Sequence, residues 1–292
     1  MKKDFSKPAE FLAAVPHDSL ALQLVPDELK SLLLYFKAVH EEGGTLEYVP
    51  EEHKTPVLCL IAVQEDGSAL EFVPQELITP ELCLVAILQD RVALKFVPEE
   101  LKTPELYKVA VLHDVWALEH VPIEFITPEL CLGAVQQDGR ALYFVPDELK
   151  TEYLSLLAVE NSGLALAFVP EEHKSHALCL IAIQENGWAL DFVPEELQTT
   201  SFSLIAVQTT AKALQFVSDE LKTPELCLIA VQKNGKALQY VPEHVRTHDI
   251  CLAAVLQNHE ALEFVPEAYR AEMRNILMDP EKHHLSSMGQ SG

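Results

Sequence analysis

Glycine is scarce in this chain, ten residues among 292, and tryptophan scarcer still, with two. So few glycines leave little from which to build phosphate-cradling loops, and neither a P-loop nor a Rossmann glycine pattern occurs. H-E-x-x-H and G-x-S-x-G are absent too, so no zinc protease or hydrolase nucleophile is signalled. There is no excess of cations. The 21 Lys and Arg face 45 Asp and Glu, a net charge of −24, which leaves nothing to neutralise nucleic-acid phosphates or an anionic membrane. No apolar run approaches the ~18 residues that a membrane helix needs. The start, MKKDFSKPAEFLAAVPHDS, lacks the uninterrupted apolar stretch of a secretory signal peptide. A soluble protein made in the cytoplasm is expected. At 49% apolar residues the chain is too apolar to remain disordered.

What stands out instead is proline, with 18 residues. Eleven follow valine; apart from Pro16 they stand at 26, 50, 74, 98, 122, 146, 170, 194, 242 and 266, spaced by 24 or, once, by twice that. At the skipped place Ser218 follows Val217. Eleven repeats of 24 residues therefore run without insertion, starting at Lys7, Ser31, Thr55, Thr79, Thr103, Thr127, Thr151, Ser175, Thr199, Thr223 and Thr247. Three columns do not vary: Ala14 to Ala254, Leu22 to Leu262 and Val25 to Val265. The expected organisation is a lead over 1–6, a solenoid over 7–270, a partial capping helix over 271–280 (Glu272–Met278 at its centre) and a disordered tail over 281–292.

One repeat can be read physically. Thr or Ser opens it as an N-cap, and proline occupies the first helical position in six copies. An apolar run such as Leu58–Val63 follows, predicting a helix covered on several sides by neighbouring copies. Asp66-Gly67 and its equivalents read as a left-handed C-terminal cap. A second short helix, Ala69–Val73, ends at Pro74, which starts a tight turn through Leu77. Units this small must stack to bury their apolar faces. The fold class expected is all-α, an α-solenoid of eleven two-helix repeats, with its handedness left open.

The string ALEFVPQELITPELCLVAI (69–87), recurring in variants, resembles a short Val-Pro repeat family known as a bacterial domain of unknown function. The resemblance covers Lys7 to Arg270; it departs at His120 in the aromatic column, at Ser218, and in the first two repeats, which lack cysteine. Members occur in proteins of host-associated bacteria, including secreted effectors, and in some large viruses and protists. The resemblance thus implies a helical repeat rod and leaves open translocation into a host cell without a cleaved signal. It supplies no catalytic residues.

Candidate chemistry is sparse. Cys59, Cys83, Cys131, Cys179, Cys227 and Cys251 share one column of the long helix, a full repeat apart or more, and read as buried packing residues in a reducing compartment. His53, His173 and His120 replace apolar or aromatic residues, while His244/His248 and His173/His176 lack a third and fourth ligand for a metal. No metal or cofactor is expected, and no enzyme. Charge forms ladders. Glu52, Glu76, Glu100, Glu124, Glu148, Glu172, Glu196 and Glu220 make an acidic column (with Glu28 in the first repeat), and Lys54, Lys102, Lys150, Lys174, Lys222, Arg246 and Arg270 a basic one two residues later. The acidic column reads as solubility and inter-layer salt bridging, or as an edge for a basic partner. The variable columns of the short helix place Val92, Trp116, Arg140, Tyr143, Leu164 and Trp188 in one stripe, rich in residue types found at binding hot spots, unless supercoiling tucks it between layers. The expected function is a monomeric, non-enzymatic scaffold that binds a partner protein. End-to-end self-assembly is the alternative, and an enzyme with a concealed site a third reading.

Overall fold

The structure, a computed structural model, describes Leu22, Val25 and residues 30–278. The lead, nearly all of the first repeat (including Ala14 and Glu28), residues 279–280 and the tail expected over 281–292 lie outside the described residues. Among the described residues there are helices and no strand. Ten-residue α-helices recur once per repeat: α1 Leu32–Glu41, α2 Pro56–Glu65, α3 Pro80–Gln89, α4 Pro104–His113, α5 Pro128–Gln137, α6 Glu152–Asn161, α7 His176–Glu185, α8 Thr200–Thr209, α9 Pro224–Lys233 and α10 His248–Gln257. A final helix, α11, spans Glu267–Met278. The protein is an all-α repeat solenoid. The chain divides into two compact units, Met1–Ala134 and Val135–Gly292.

The caps are those the sequence indicates. Thr55 is extended, at φ −79° and ψ 157°, and its hydroxyl accepts the Leu58 amide at 3.3 Å. Such a cap stabilises a helix by about 1 kcal/mol. Ser31, Thr151, Ser175 and Thr223 cap in the same way. After the long helix of each repeat the chain forms a six-residue 3-10 helix such as Gly67–Phe72, starting two residues before the short helix expected over Ala69–Val73. A three-residue turn, Gln75–Leu77, then follows Pro74 as predicted.

The Asx-Gly pair differs from expectation. No described residue, glycine included, has positive φ. Asp66 is extended (φ −146°, ψ 108°) and works in both directions. Its amide donates to Ala62 O at 2.9 Å, closing α2, and its Oδ1 accepts the Ser68 amide at 2.9 Å, opening the 3-10 helix. Glycine is needed next to it for a different reason. A Cβ on Gly67 would lie 2.3 Å from the carbonyl oxygen of Ala86, in the following repeat. Gly139, Gly163, Gly187 and Gly235 press in the same way on Ala158, Ala182, Ala206 and Ala254. The invariant alanine is thus the floor against which the preceding repeat's backbone rests.

In each unit the core is built from the same columns. Leu58, Cys59, Ala62 and Val63 of α2 are buried, as are Ala69, Leu70 and Val73 of the segment after it. Each fully buried Leu or Val side chain stabilises by about 1.5–3 kcal/mol relative to exposure. The long helices are not covered all round, however. Val57, Leu60, Leu88, Val109 and Leu112 are exposed. α2, for example, packs beside α1 and α3 and over the 3-10 helices Gly67–Phe72 of its own repeat and Gly43–Tyr48 of the preceding one, so one side remains open.

Two members of the basic column join repeats. Lys54 Nζ, its side chain only 6% exposed, donates to Glu51 Oε1 at 2.7 Å and to the Phe72 carbonyl of the next repeat at 2.8 Å. Arg246 reaches Phe264 O in the same register, at 2.9 Å. The acids the column uses are Glu51, Glu99, Asp147, Glu171 and Asp219, one residue before the predicted ladder. At the C-terminal end, Ala271 stands where the other described repeats have a capping Thr or Ser. Without the cap, the post-proline turn and the next helix merge into α11, which starts at Glu267 and not near residue 271.

Candidate functional site

Each predicted stripe residue sits on a 3-10 helix; Asp90, Asp114, Asp138 and Asn186 cap theirs through the side chain, whereas Ser162, before Leu164, makes no such bond. In the first unit Val92 and Trp116 are half-buried. In the second, Leu164 is half-buried while Arg140, Tyr143 and Trp188 are exposed. Tyr143 is 60% exposed, yet its ring stands edge-on to Phe168 of the next repeat, 5.1 Å between centroids, and to Phe144 at 4.9 Å. Trp188, 40% exposed, meets Phe216 of the following repeat edge-on at 5.6 Å. These rings are held in place on one side and open on the other. Arg140 is turned back on its own repeat, with Nη2 2.7 Å from Asp138 Oδ2. That hydrogen bond holds the Asp138 carboxyl below its ordinary range and raises the arginine.

Beside Tyr143 lies a depression of about 500 Å³, lined by Asp147, Lys150, Phe168, Pro170, Glu171 and Glu172. The hydrogen bond from Lys150, at 2.8 Å, keeps Asp147 below the usual carboxylate range. Lys174 engages Glu171 at 2.7 Å. Glu172, a ladder residue, is exposed and forms no ion pair among the described residues. The same holds for Glu52, Glu76, Glu100, Glu124, Glu148, Glu196 and Glu220, all exposed. The basic column pairs with acids of its own repeat, ion pairs between layers come from other residues such as Arg91 with Asp114 and Lys236 with Glu260, and the ladder is left to solvent.

A second feature was not foreseen. In the first unit two grooves flank α4, one of about 320 Å³ towards α3 and one of about 380 Å³ towards α5. Leu84 and Val109 line the first, and Leu112, Phe125, Leu130 and Gly133 the second. The signal in the sequence was a gap in a column: Gly133 stands where other repeats have Ile61, Val85 or Ile181.

The cysteines are all free and buried. Burial pushes the thiols of Cys59, Cys83, Cys131, Cys179 and Cys227 up to about 11, so they remain protonated at neutral pH. His53 packs against Tyr35 at 5.3 Å, and burial lowers His120 below its ordinary value. Among the described residues no group of three or more His, Cys, Asp or Glu is placed to hold a metal ion. No described helix is long and apolar enough to cross a membrane.

Architecture and surface together define a helical repeat protein built of 24-residue units, six of which press on the next through a glycine–alanine contact. The family model described as "Domain of unknown function (DUF4116)" matches residues 58–102, 152–198, 176–222, 199–246 and 223–270, more than half of the chain. The chain belongs to that family. No curated protein and no solved structure matches it.

Proposed function

We propose that the protein is a non-enzymatic scaffold that binds a partner protein through the exposed faces of its repeats. The observation carrying this reading is the pairing of Tyr143 and Trp188 with Phe168 and Phe216. Rings braced on one side lose little freedom when a partner covers the other, and Trp and Tyr are enriched at binding hot spots. Glu172 beside Tyr143 favours a basic side chain in the depression, where the ring face adds a cation–π contribution of about 0.5–2 kcal/mol. No cofactor enters this reading. Reduced thiols fit the cytoplasm, and the family resemblance adds delivery into a host cell as a further step.

Affinity capture from bacterial and host lysates, repeated with Tyr143→Ala/Trp188→Ala, tests the idea. Partners retained by the parent chain should be lost by the variant at unchanged melting temperature. Retention of the same partners by the variant refutes it, as does insensitivity of capture to salt.

A further inference from the structure

Two departures from the repeat pattern coincide in the first unit. Repeats that end in the glycine–alanine contact pack tightly, but the repeats preceding α4 and α5 carry Arg91 and Val115 in place of that glycine. The register of Gly67 with Ala86 sets Arg91 level with Ala110 of α4, and Val115 level with Ala134 of α5. A Cβ at Gly67 would lie 2.3 Å from the Ala86 carbonyl oxygen, so a side chain at the equivalent places requires the backbone to stand further from the next long helix. Accordingly α3 and α4 approach each other over a shorter stretch than α1 with α2 or α2 with α3. The grooves open at these same two junctions.

Gly133 enlarges one of them. A Cβ there would meet only Leu112 Cδ2, at 3.8 Å, so the backbone does not require glycine. A glycine inside a helix costs about 1 kcal/mol relative to alanine. The groove is held open at some expense of helix stability.

From the chemistry of the walls, we propose that these grooves receive a basic amphipathic helix of another protein. The floor is apolar, with Leu84, Val109, Leu112, Phe125 and Leu130. The rim carries Glu81, Glu100, Glu105 and Glu129, all exposed, against one cation, Lys108. Packed neighbouring helices stand about 8–10 Å apart, and residues i and i+7 of a helix are about 10.5 Å apart. Apolar anchors two turns apart therefore reach both grooves while lysines beside them meet the glutamates. A second copy of this chain, at net charge −24, is repelled from the same rim. The proposal rests on the scaffold reading and gives an occupant to a face that excludes Tyr143 and Trp188.

The probe is a labelled leucine–lysine peptide of about 18 residues, long enough to hold a helix, with leucines at i, i+3, i+4 and i+7. It is titrated into the full chain, into Gly133→Ile and into Glu105→Gln/Glu129→Gln. One-to-one binding is expected, weakened about tenfold or more by Gly133→Ile at an equal or higher melting temperature. The glutamine pair should weaken binding severalfold and flatten its salt dependence. Val115→Gly, which removes the spacer, should give the same loss by a separate route if isoleucine packs badly. Equal affinity for the parent and Gly133→Ile overturns the proposal, because net charge alone then attracts the peptide. Absence of saturable binding overturns it too, as does loss of binding in Tyr143→Ala/Trp188→Ala. Each of these results leaves the scaffold reading to the lysate capture.

Discussion

Gly43 faces Ala62 of the next repeat so closely that a Cβ on the glycine would stand 2.2 Å from the alanine carbonyl oxygen. Its neighbour Gly44 has only Asp66 Oδ2 nearby, at 3.5 Å, an ordinary contact. The two glycines should therefore respond oppositely to one added methyl group. Gly43→Ala is expected to destabilise the chain by about 1–3 kcal/mol through overpacking. Gly44→Ala should stay within about 0.5 kcal/mol of the parent. Urea denaturation of both variants decides it, and equal effects would show that the close approach does not matter.

Lys54→Met should cost about 1–2 kcal/mol, because it removes the charged donor that ties Glu51 to the Phe72 carbonyl. The low end is favoured by Ile78 and Ile126, which occupy this column in other repeats. Glu52→Gln, on the exposed ladder, should leave stability within about 0.5 kcal/mol. A loss at Glu52 matching that at Lys54 would contradict the assignment of the inter-repeat contact to the basic column.

Thiol labelling with a disulfide reagent at neutral pH should be negligible in the native chain and should reach all six cysteines after denaturation. Five thiols are pushed up to about 11 by burial, so both access and thiolate are lacking. Rapid labelling of the native chain would show the column to be open.

The docking of α11 should weaken as pH rises. Burial pulls His248 down, but its hydrogen bonds to Asp249 and to Glu272 of α11, at 3.4 and 3.2 Å, raise it above its ordinary 6.5. A raised folded value means that the contribution is complete below pH 6.5 and is lost as pH climbs through the folded value. Hydrogen exchange at Met273 and Ile276, corrected for intrinsic rate, should report weaker protection at about pH 8, and His248→Gln should remove the dependence. A flat profile in the parent chain would sink the bridge.

Most of the fold could be read because it is written many times over. Caps at Thr55 and Thr79, and the Ala, Leu and Val columns, recur at positions where neighbouring copies make the same contact. Asp66-Gly67 misled because an Asx-Gly pair suits a left-handed turn as well as a close approach, and only the next repeat's backbone distinguishes them. Leu58–Val63 suggested an all-round cover because composition does not say how many neighbours a helix has. The stripe was visible as residue types, but whether Trp116 or Trp188 faces solvent depends on how far each layer overhangs the last. The grooves were hidden because the departures that accompany them, at Arg91, Val115 and Gly133, look like noise beside a strong pattern.

The clasp from Lys54 to Phe72 spans 18 residues and the bridge from His248 to Glu272 spans 24, so each contact closes a loop of one repeat or less. Closing such loops costs little chain entropy, and contacts this local belong to proteins that fold in microseconds to milliseconds. Either unit can therefore assemble by growth from any nucleus within it, one layer at a time. A damaged layer interrupts that growth locally without scrambling the register of the layers already in place.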